Sequence, residues 1–181
     1  MTDRPVTIIA PTIQRVIDGT CTRLRRPNRA LAECSAGDRL WIREQFHLAK
    51  QFEHISPLQA LDRGAVPVWS VDVPDLPDYA TADLGRRRFA RELPKAWHRA
   101  HLVVTAVHTE PLQTISDEEI ANAGFTARDQ YARAWDTALR GFVDPVRSIR
   151  PPVWANNPAA LVVTFRCVTA PLAQKVERSV A

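Results

Sequence analysis

The side chains whose types and spacing could do chemistry crowd towards the start of the chain. Arg15, Arg23, Arg25, Arg26 and Arg43 accompany Trp41, and only Asp18, Glu33 and Asp38 are acidic between the first and last of these arginines. A guanidinium clamps phosphate oxygens through parallel hydrogen bonds, and an aromatic ring among such groups offers a platform on which a base can stack. The combination predicts contact with RNA or DNA; the competing reading of the same residues is a solvated basic face. The arginine bias is chain-wide, since of 24 basic residues all but Lys50, Lys95 and Lys175 are arginines, and the formal net charge is +4. Asn157, in the turn Asn156-Asn157-Pro158, has a side-chain amide suited to reading a base edge or to holding its own turn.

Hydrolytic chemistry has thinner support. Cys21 follows Gly19 closely and stands among arginines whose positive field favours a thiolate, with Thr22 next to it; the alternative is a small packed strand residue. Glu44 adds a carboxylate. There is no G-x-S-x-G elbow, no phosphate-binding loop and no G-x-G-x-x-G. His47, His54, His98, His101 and His108 lack ligand spacing and the three cysteines lack a C-x-x-C, so neither a metal nor another cofactor is expected. Cys21, Cys34 and Cys167 read as thiols in a reducing, cytoplasmic compartment. Apolar runs such as Ala159 to Val163 fall far short of the roughly 18 residues a spanning helix needs, and Met1-Thr2-Asp3-Arg4 has no signal-peptide pattern. A membrane partner is therefore not expected. Trp135 and Trp154 read as core or core-rim residues, or as stacking platforms.

These residues need elements to position them. Val6 to Ala10 reads as a strand, Thr12 to Asp18 as a short helix with Ile13, Val16 and Ile17 on one face, and Gly19 as its C-terminal cap. Thr20 to Pro27 alternates like an exposed strand with cations on one side. Ala36-Gly37-Asp38 is a turn, and Arg39 to Glu44 is a strand with Leu40 and Ile42 on one face and Trp41 and Arg43 on the other. Val66 to Val73 is strand-like, but Pro67 puts it at an edge. Pro74 to Pro77, with Asp72, Asp75 and Asp78, marks a loop, and Leu84 to Leu93, containing Arg86-Arg87-Arg88, reads as helical.

Arg99 to His108 is predicted as a central strand from its β-branched content. Ser116 and Glu119 form a capping box opening a helix that Gly124 closes, and a second helix runs from Ala127 to Arg140, with Tyr131, Trp135 and Leu139 on one face and Gly141 as terminator. Ala160 to Val168 is the last strand. The length of 181 residues suits a single domain over 1–170, with an insertion expected at about 46–94 and a tail at 171–181.

The order of four blocks resembles ASCH-domain proteins, in particular their phage and prophage "morphogenetic" branch. The blocks are Ile13-x-Arg15-Val16-Ile17-x-Gly19-x-x-Thr22-x-x-Arg25-Arg26-Pro27; Gly37-Asp38-Arg39-Leu40-Trp41-Ile42-Arg43-Glu44; Arg99 to Ile120 with Val104-Thr105-x-Val107, Glu110-x-Leu112 and Ile115-Ser116-Asp117-Glu118-Glu119; and Trp154-x-Asn156-Asn157-Pro158 leading into Val162-Val163-Thr164-Phe165. The resemblance implies an α+β fold of the PUA-like kind, a small β-barrel flanked by α-helices with a cleft beside the opening helix. It further implies binding of RNA or of a modified base there, with Arg15, Arg25 and Arg26 on phosphate or a base edge, Trp41 and Arg43 lining the site, and Asn157 on the opposite lip. Some ASCH proteins are amidohydrolases of acylated cytidine that use Lys, Thr and Glu; here Cys21 stands at the lysine position, Leu24 at the threonine position, and Ala123 near the acid. Cys21, Thr22 and Glu44 are then the candidates for a remaining hydrolase activity on a modified nucleoside or nucleic acid. A phage-associated structural or partner-binding role is the third reading.

Overall fold

The computed structural model describes residues 3–27, 31, 33–75, 81–139 and 152–172. The first strand, β1 (Asp3–Thr7), leads into α1 (Thr12–Ile17), whose Ile13 and Val16 are buried. Gly19, at φ +81°, takes the left-handed conformation that ends such a helix. Next come β2 (Arg23–Pro27), β3 (Arg39–Arg43), β4 (Phe46–His47), α2 (Pro57–Asp62) and β5 (Val68–Trp69). The second half supplies β6 (His101–Pro111), α3 (Asp117–Asn122), α4 (Arg128–Leu139) and β7 (Ala159–Val168).

Five strands form one mixed sheet in the order β1-β3-β6-β7-β2, with β1 parallel to β3 and every other neighbour antiparallel. The predicted central strand is central, although it begins at His101 and continues to Pro111. It pairs along its length with β7, from His101 opposite Val168 to Pro111 opposite Ala159, with an irregularity between Val104 and Ala106. Alternation turns Val6, Leu24, Leu40, Ile42, Leu102, Val104, Val163 and Phe165 to one core, where they meet Ile13 and Val16 of α1. Burial of each such side chain favours folding by about 1.5–3 kcal/mol, which fixes the strand register.

The architecture is α+β, with four α-helices among the described residues. A closed barrel is not formed there: β1 and β2 are the two edges of the sheet, and no ladder joins them. Their ends nevertheless approach, because Arg26 of β2 donates from Nη2 to the carbonyl of Thr7 in β1 at 3.0 Å.

The middle of the chain closes on its own small core, in which Phe46, Leu48, Ala60, Ala65 and Leu93 are packed with Phe52, Ile55, Trp69 and Trp97. Only Val68–Trp69 of the predicted strand at Val66 to Val73 pairs, against Phe46–His47. The segment from Leu84 to Leu93 is not a helix. Leu84 bridges to Ala49 and Arg88 to Phe46, leaving a single 3₁₀ turn at Ala90–Glu92. Its backbone is held extended because the Arg88 Nη2 donates to the carbonyls of Phe52, Glu53 and Ile55 at 3.2, 2.7 and 2.9 Å, anchoring the residue in the neighbouring turn. Pro77 and Asp78 of the predicted loop, Arg140 and Gly141 at the end of the second helix, and residues 173–181 of the tail lie outside the described residues.

Candidate nucleic-acid interface

Between β2 and the helices α3 and α4 the chain leaves a cleft of ≈ 1380 Å³, reached also by the end of β1 and the turn into α1. Strand alternation distributes the arginines of β2. Arg23 and Arg25 point towards α3, where both reach Glu119, whereas Leu24, between them, enters the core.

Glu119 is placed by its helix. Ser116 caps α3 by accepting from the Glu119 backbone N–H at 3.1 Å, and the Glu119 carboxylate accepts in return from the Ser116 N–H at 3.1 Å. The same carboxylate takes Arg23 at 3.0 Å and Arg25 at 3.1 Å. Burial works against its charge, but the Ser116 N–H, Arg23 and Arg25 outweigh it and hold the carboxyl below the usual range. Arg25 also donates to Glu110, so this buried guanidinium is neutralised from two sides.

Arg26 is different. Its Nη1 donates to the carbonyl of Arg25 at 3.0 Å and its Nη2 to that of Thr7 at 3.0 Å; no carboxylate of the described residues pairs with it. Burial accordingly pulls this guanidinium below its ordinary value, an effect that a counter-ion would cancel. Arg43 lines the same cleft, stands opposite Thr7 in the ladder between β3 and β1, and likewise pairs with no described carboxylate. Its Nε is buried without a hydrogen-bond partner, and its guanidinium carbon lies 5.7 Å from the centre of the Trp41 ring.

The wall opposite the arginines is aromatic. Phe125 and Tyr131 meet edge to face with ring centres 5.3 Å apart, and Tyr131 meets Trp154 in the same way at 5.9 Å. Trp135 is buried one helical turn from Tyr131 and donates from Nε1 to the Pro152 carbonyl at 2.8 Å. Burial pushes the Tyr131 phenol up, so it remains a proton donor, and its hydroxyl has no hydrogen-bond partner among the described residues.

The residues singled out in the sequence are thus only partly brought together. Cys21, Thr22, Arg23, Arg25, Arg26 and Arg43 line the cleft; Arg15, Trp41, Glu44 and Asn157 do not. Arg15 is half exposed on α1, 3.9 Å from Asp18. Trp41 is buried, with its ring centre 5.9 Å from that of His98. Asn157 takes a left-handed conformation at φ +44°, and its side-chain oxygen accepts from the Gln113 N–H at 2.8 Å, so the amide holds the turn. Glu44 is buried in a bidentate pair with Arg99, at 2.9 and 2.8 Å, and Arg99 continues to Asp72 at 2.7 Å.

The thiol of Cys21 runs opposite to the sequence expectation of a lowered pKa. Burial pushes it up, and its Sγ donates to the Arg23 carbonyl at 3.3 Å. The Arg23 backbone and the Arg26 charge pull the other way, but burial outweighs them, with Asp18 and Glu119 adding to the upward shift. Leu24 and Ala123 are core residues. Sequence reasoning missed Tyr131 as a cleft residue and Glu110 as a counter-ion; the spacing of Tyr131 and Trp135 on one helix face was the available signal for the first, and nothing local marked the second.

No group of His, Cys, Asp and Glu among the described residues is arranged to hold a metal ion, and no described helix is long and apolar enough to cross a membrane. Compared with family models, with curated proteins and with solved structures, the chain matches none.

Proposed function

We propose that this chain is a nucleic-acid-binding module of the PUA-like, ASCH type, which takes single-stranded RNA or an extruded, modified base into the cleft between β2 and the two following helices. The observation that carries this reading is Arg26, a partly buried guanidinium that faces the cleft with carbonyls but no acid around it. A cation held in that way is poorly solvated and uncompensated, and a phosphate oxygen supplies what it lacks. Arg43 adds a second such cation, and Phe125 and Tyr131 supply ring faces and edges for a base. The near approach of β1 and β2 supports the PUA-like comparison, since it curls the sheet around the core without closing it.

The residues expected to contact ligand are therefore Arg23, Arg26, Arg43 and Tyr131. Arg25 positions Glu119 and with it the helix wall. The hydrolase alternative has less to stand on, because a nucleophile needs a base or a lowered pKa and the Cys21 thiol has neither. The test is fluorescence anisotropy of the full chain against single-stranded RNA, duplex DNA and the same duplex with modified cytosine or adenine, each at several salt concentrations. Affinity is expected to fall linearly with salt on logarithmic axes, and Arg26→Gln and Arg43→Gln are each expected to reduce the slope by about 1. Absence of binding to every probe at low salt overturns the proposal.

A further inference from the structure

We infer that Arg26, Arg43 and Tyr131 form a subsite for a phosphate monoester, so that the cleft recognises the phosphorylated end of a nucleotide or nucleic acid and not an internal phosphodiester. The inference rests on the nucleic-acid reading only for the kind of molecule that carries the phosphate; the anion subsite stands on its own geometry.

Three observations converge on it. The first is charge. Of the cleft arginines, Arg23 and Arg25 are matched by Glu119 and Glu110, which leaves Arg26 and Arg43 as two positive charges without a paired acid among the described residues. A phosphodiester carries one negative charge, whereas a monoester carries about −1.5 to −2 at neutral pH. Two cations match the monoester. Glu118 also borders the cleft as an exposed side chain.

The second is donor geometry. A guanidinium has five N–H donors, and Arg26 uses one on each of two carbonyls, so it retains enough for a bidentate clamp on two oxygens of one anion. Arg43 borders the same cleft, and the Tyr131 hydroxyl, which has no hydrogen-bond partner among the described residues, is a further donor on it. The Tyr131 phenol and the Arg26 charge lie within each other's field.

The third is the seam. The Arg26 side chain itself occupies the gap between β2 and β1, with the Arg25 carbonyl on one side and the Thr7 carbonyl on the other. A polynucleotide cannot run on through a gap that one guanidinium fills. A strand that ends at this seam sets its terminal phosphate on Arg26, whereas an internal phosphodiester reaches it only where the strand turns back into the cleft.

Isothermal titration of the full chain with cytidine, cytidine 5′-monophosphate and inorganic phosphate, together with anisotropy on one short RNA bearing a 5′-phosphate, a 3′-phosphate or neither, tests this. The monophosphate is expected to bind at least about tenfold more tightly than cytidine, and one of the phosphorylated RNAs at least about tenfold more tightly than the unphosphorylated one. Arg26→Lys, which keeps the charge but loses the fork, is expected to close the gap, and Tyr131→Phe to narrow it. If Arg26→Lys does not fold, Tyr131→Phe and the wild-type comparisons decide. Equal affinity for cytidine and its monophosphate, or for the three RNAs, overturns the inference and leaves the nucleic-acid reading in place. Binding of the monophosphate over cytidine with no binding of any RNA sustains the inference and removes that reading.

Discussion

Arg26 donates to the carbonyl of Thr7, and this one hydrogen bond at 3.0 Å spans the two strands that lie at opposite ends of the sheet order. The two edges are bridged at that point by a side chain and are not joined by a ladder. A ladder takes up its amides directly; this side-chain bond takes up none and acts only by holding the two edge strands against local opening. Replacing Arg26 with Met is expected to cost about 1–2 kcal/mol locally. Hydrogen exchange then accelerates in Asp3–Thr7 and Arg23–Pro27 and stays unchanged in His101–Val103, where β6 is paired on both sides. Uniform acceleration in all three segments argues against a local seam.

Arg25 and Arg26 are neighbours in sequence with opposite electrostatic situations, and substitution is expected to separate them. Arg25 is buried between Glu110 and Glu119, so Arg25→Ala leaves two carboxylates facing each other and lowers stability by about 3 kcal/mol, towards the lower end for a broken buried pair because both carboxylates keep some solvent access. Arg26→Gln removes a charge that no acid answers and is expected to cost less. Denaturant unfolding of the two variants gives this order, and equal losses would show that Arg26 has a counter-ion in solution.

That contrast also marks how far the sequence can be read. The β-branched run of β6, the capping box of Ser116 and Glu119, and the glycine after α1 are local signals, and the structure has them where the pattern places them. Alternation likewise separates Arg25 from Arg26 by face. Which face is answered by an acid depends on Glu110 and Glu119, more than eighty residues away, and no local pattern encodes that. Trp41 shows the same limit. On its strand it alternates outwards from Leu40 and Ile42, as an exposed stacking residue would, yet it is buried, with the His98 ring and the Arg43 guanidinium against it.

His98 gives the chain a dependence on pH. Its Nδ1–H donates to the Lys95 carbonyl, and its Nε2 accepts the Leu172 N–H at 2.7 Å, which requires the neutral ring. Burial, more than the nearby His101 and Lys95, depresses its pKa below 6.5, while the Lys95 carbonyl and Asp3 pull the other way. Because the folded value is depressed, the stabilisation is complete above about 6.5 and is lost as pH falls from there through the folded value. Protonation of Nε2 sets a donor against the Leu172 donor, at a cost of about 1–3 kcal/mol. Thermal melts are expected to fall across this window in the wild type and to flatten in His98→Asn. An unchanged acid slope in that variant assigns the effect to another group.

Glu44 and Asp72 bind the same guanidinium and are expected to differ greatly in weight. Arg99 meets Glu44 through two parallel hydrogen bonds in a site where Glu44 is only 2% exposed, and meets Asp72 through one bond at a carboxylate that is 47% exposed. Solvent screens the second pair and not the first. Asp72→Asn is therefore expected to cost under about 1 kcal/mol, whereas Glu44→Ala leaves Arg99 partly buried against the Trp69 ring, 4.9 Å from its centre, with its main partner gone. That loss is expected at about 3–5 kcal/mol. Glu44 follows β3, Arg99 precedes β6, and Trp69 belongs to the small sheet of the middle segment, so the pair fixes that segment to the main sheet. Denaturant unfolding of Glu44→Ala is expected to show an earlier transition followed by Trp69 and Trp97 fluorescence. A single transition with wild-type midpoint would mean that the middle core of Phe46, Leu48 and Leu93 holds itself in place without the ion pair.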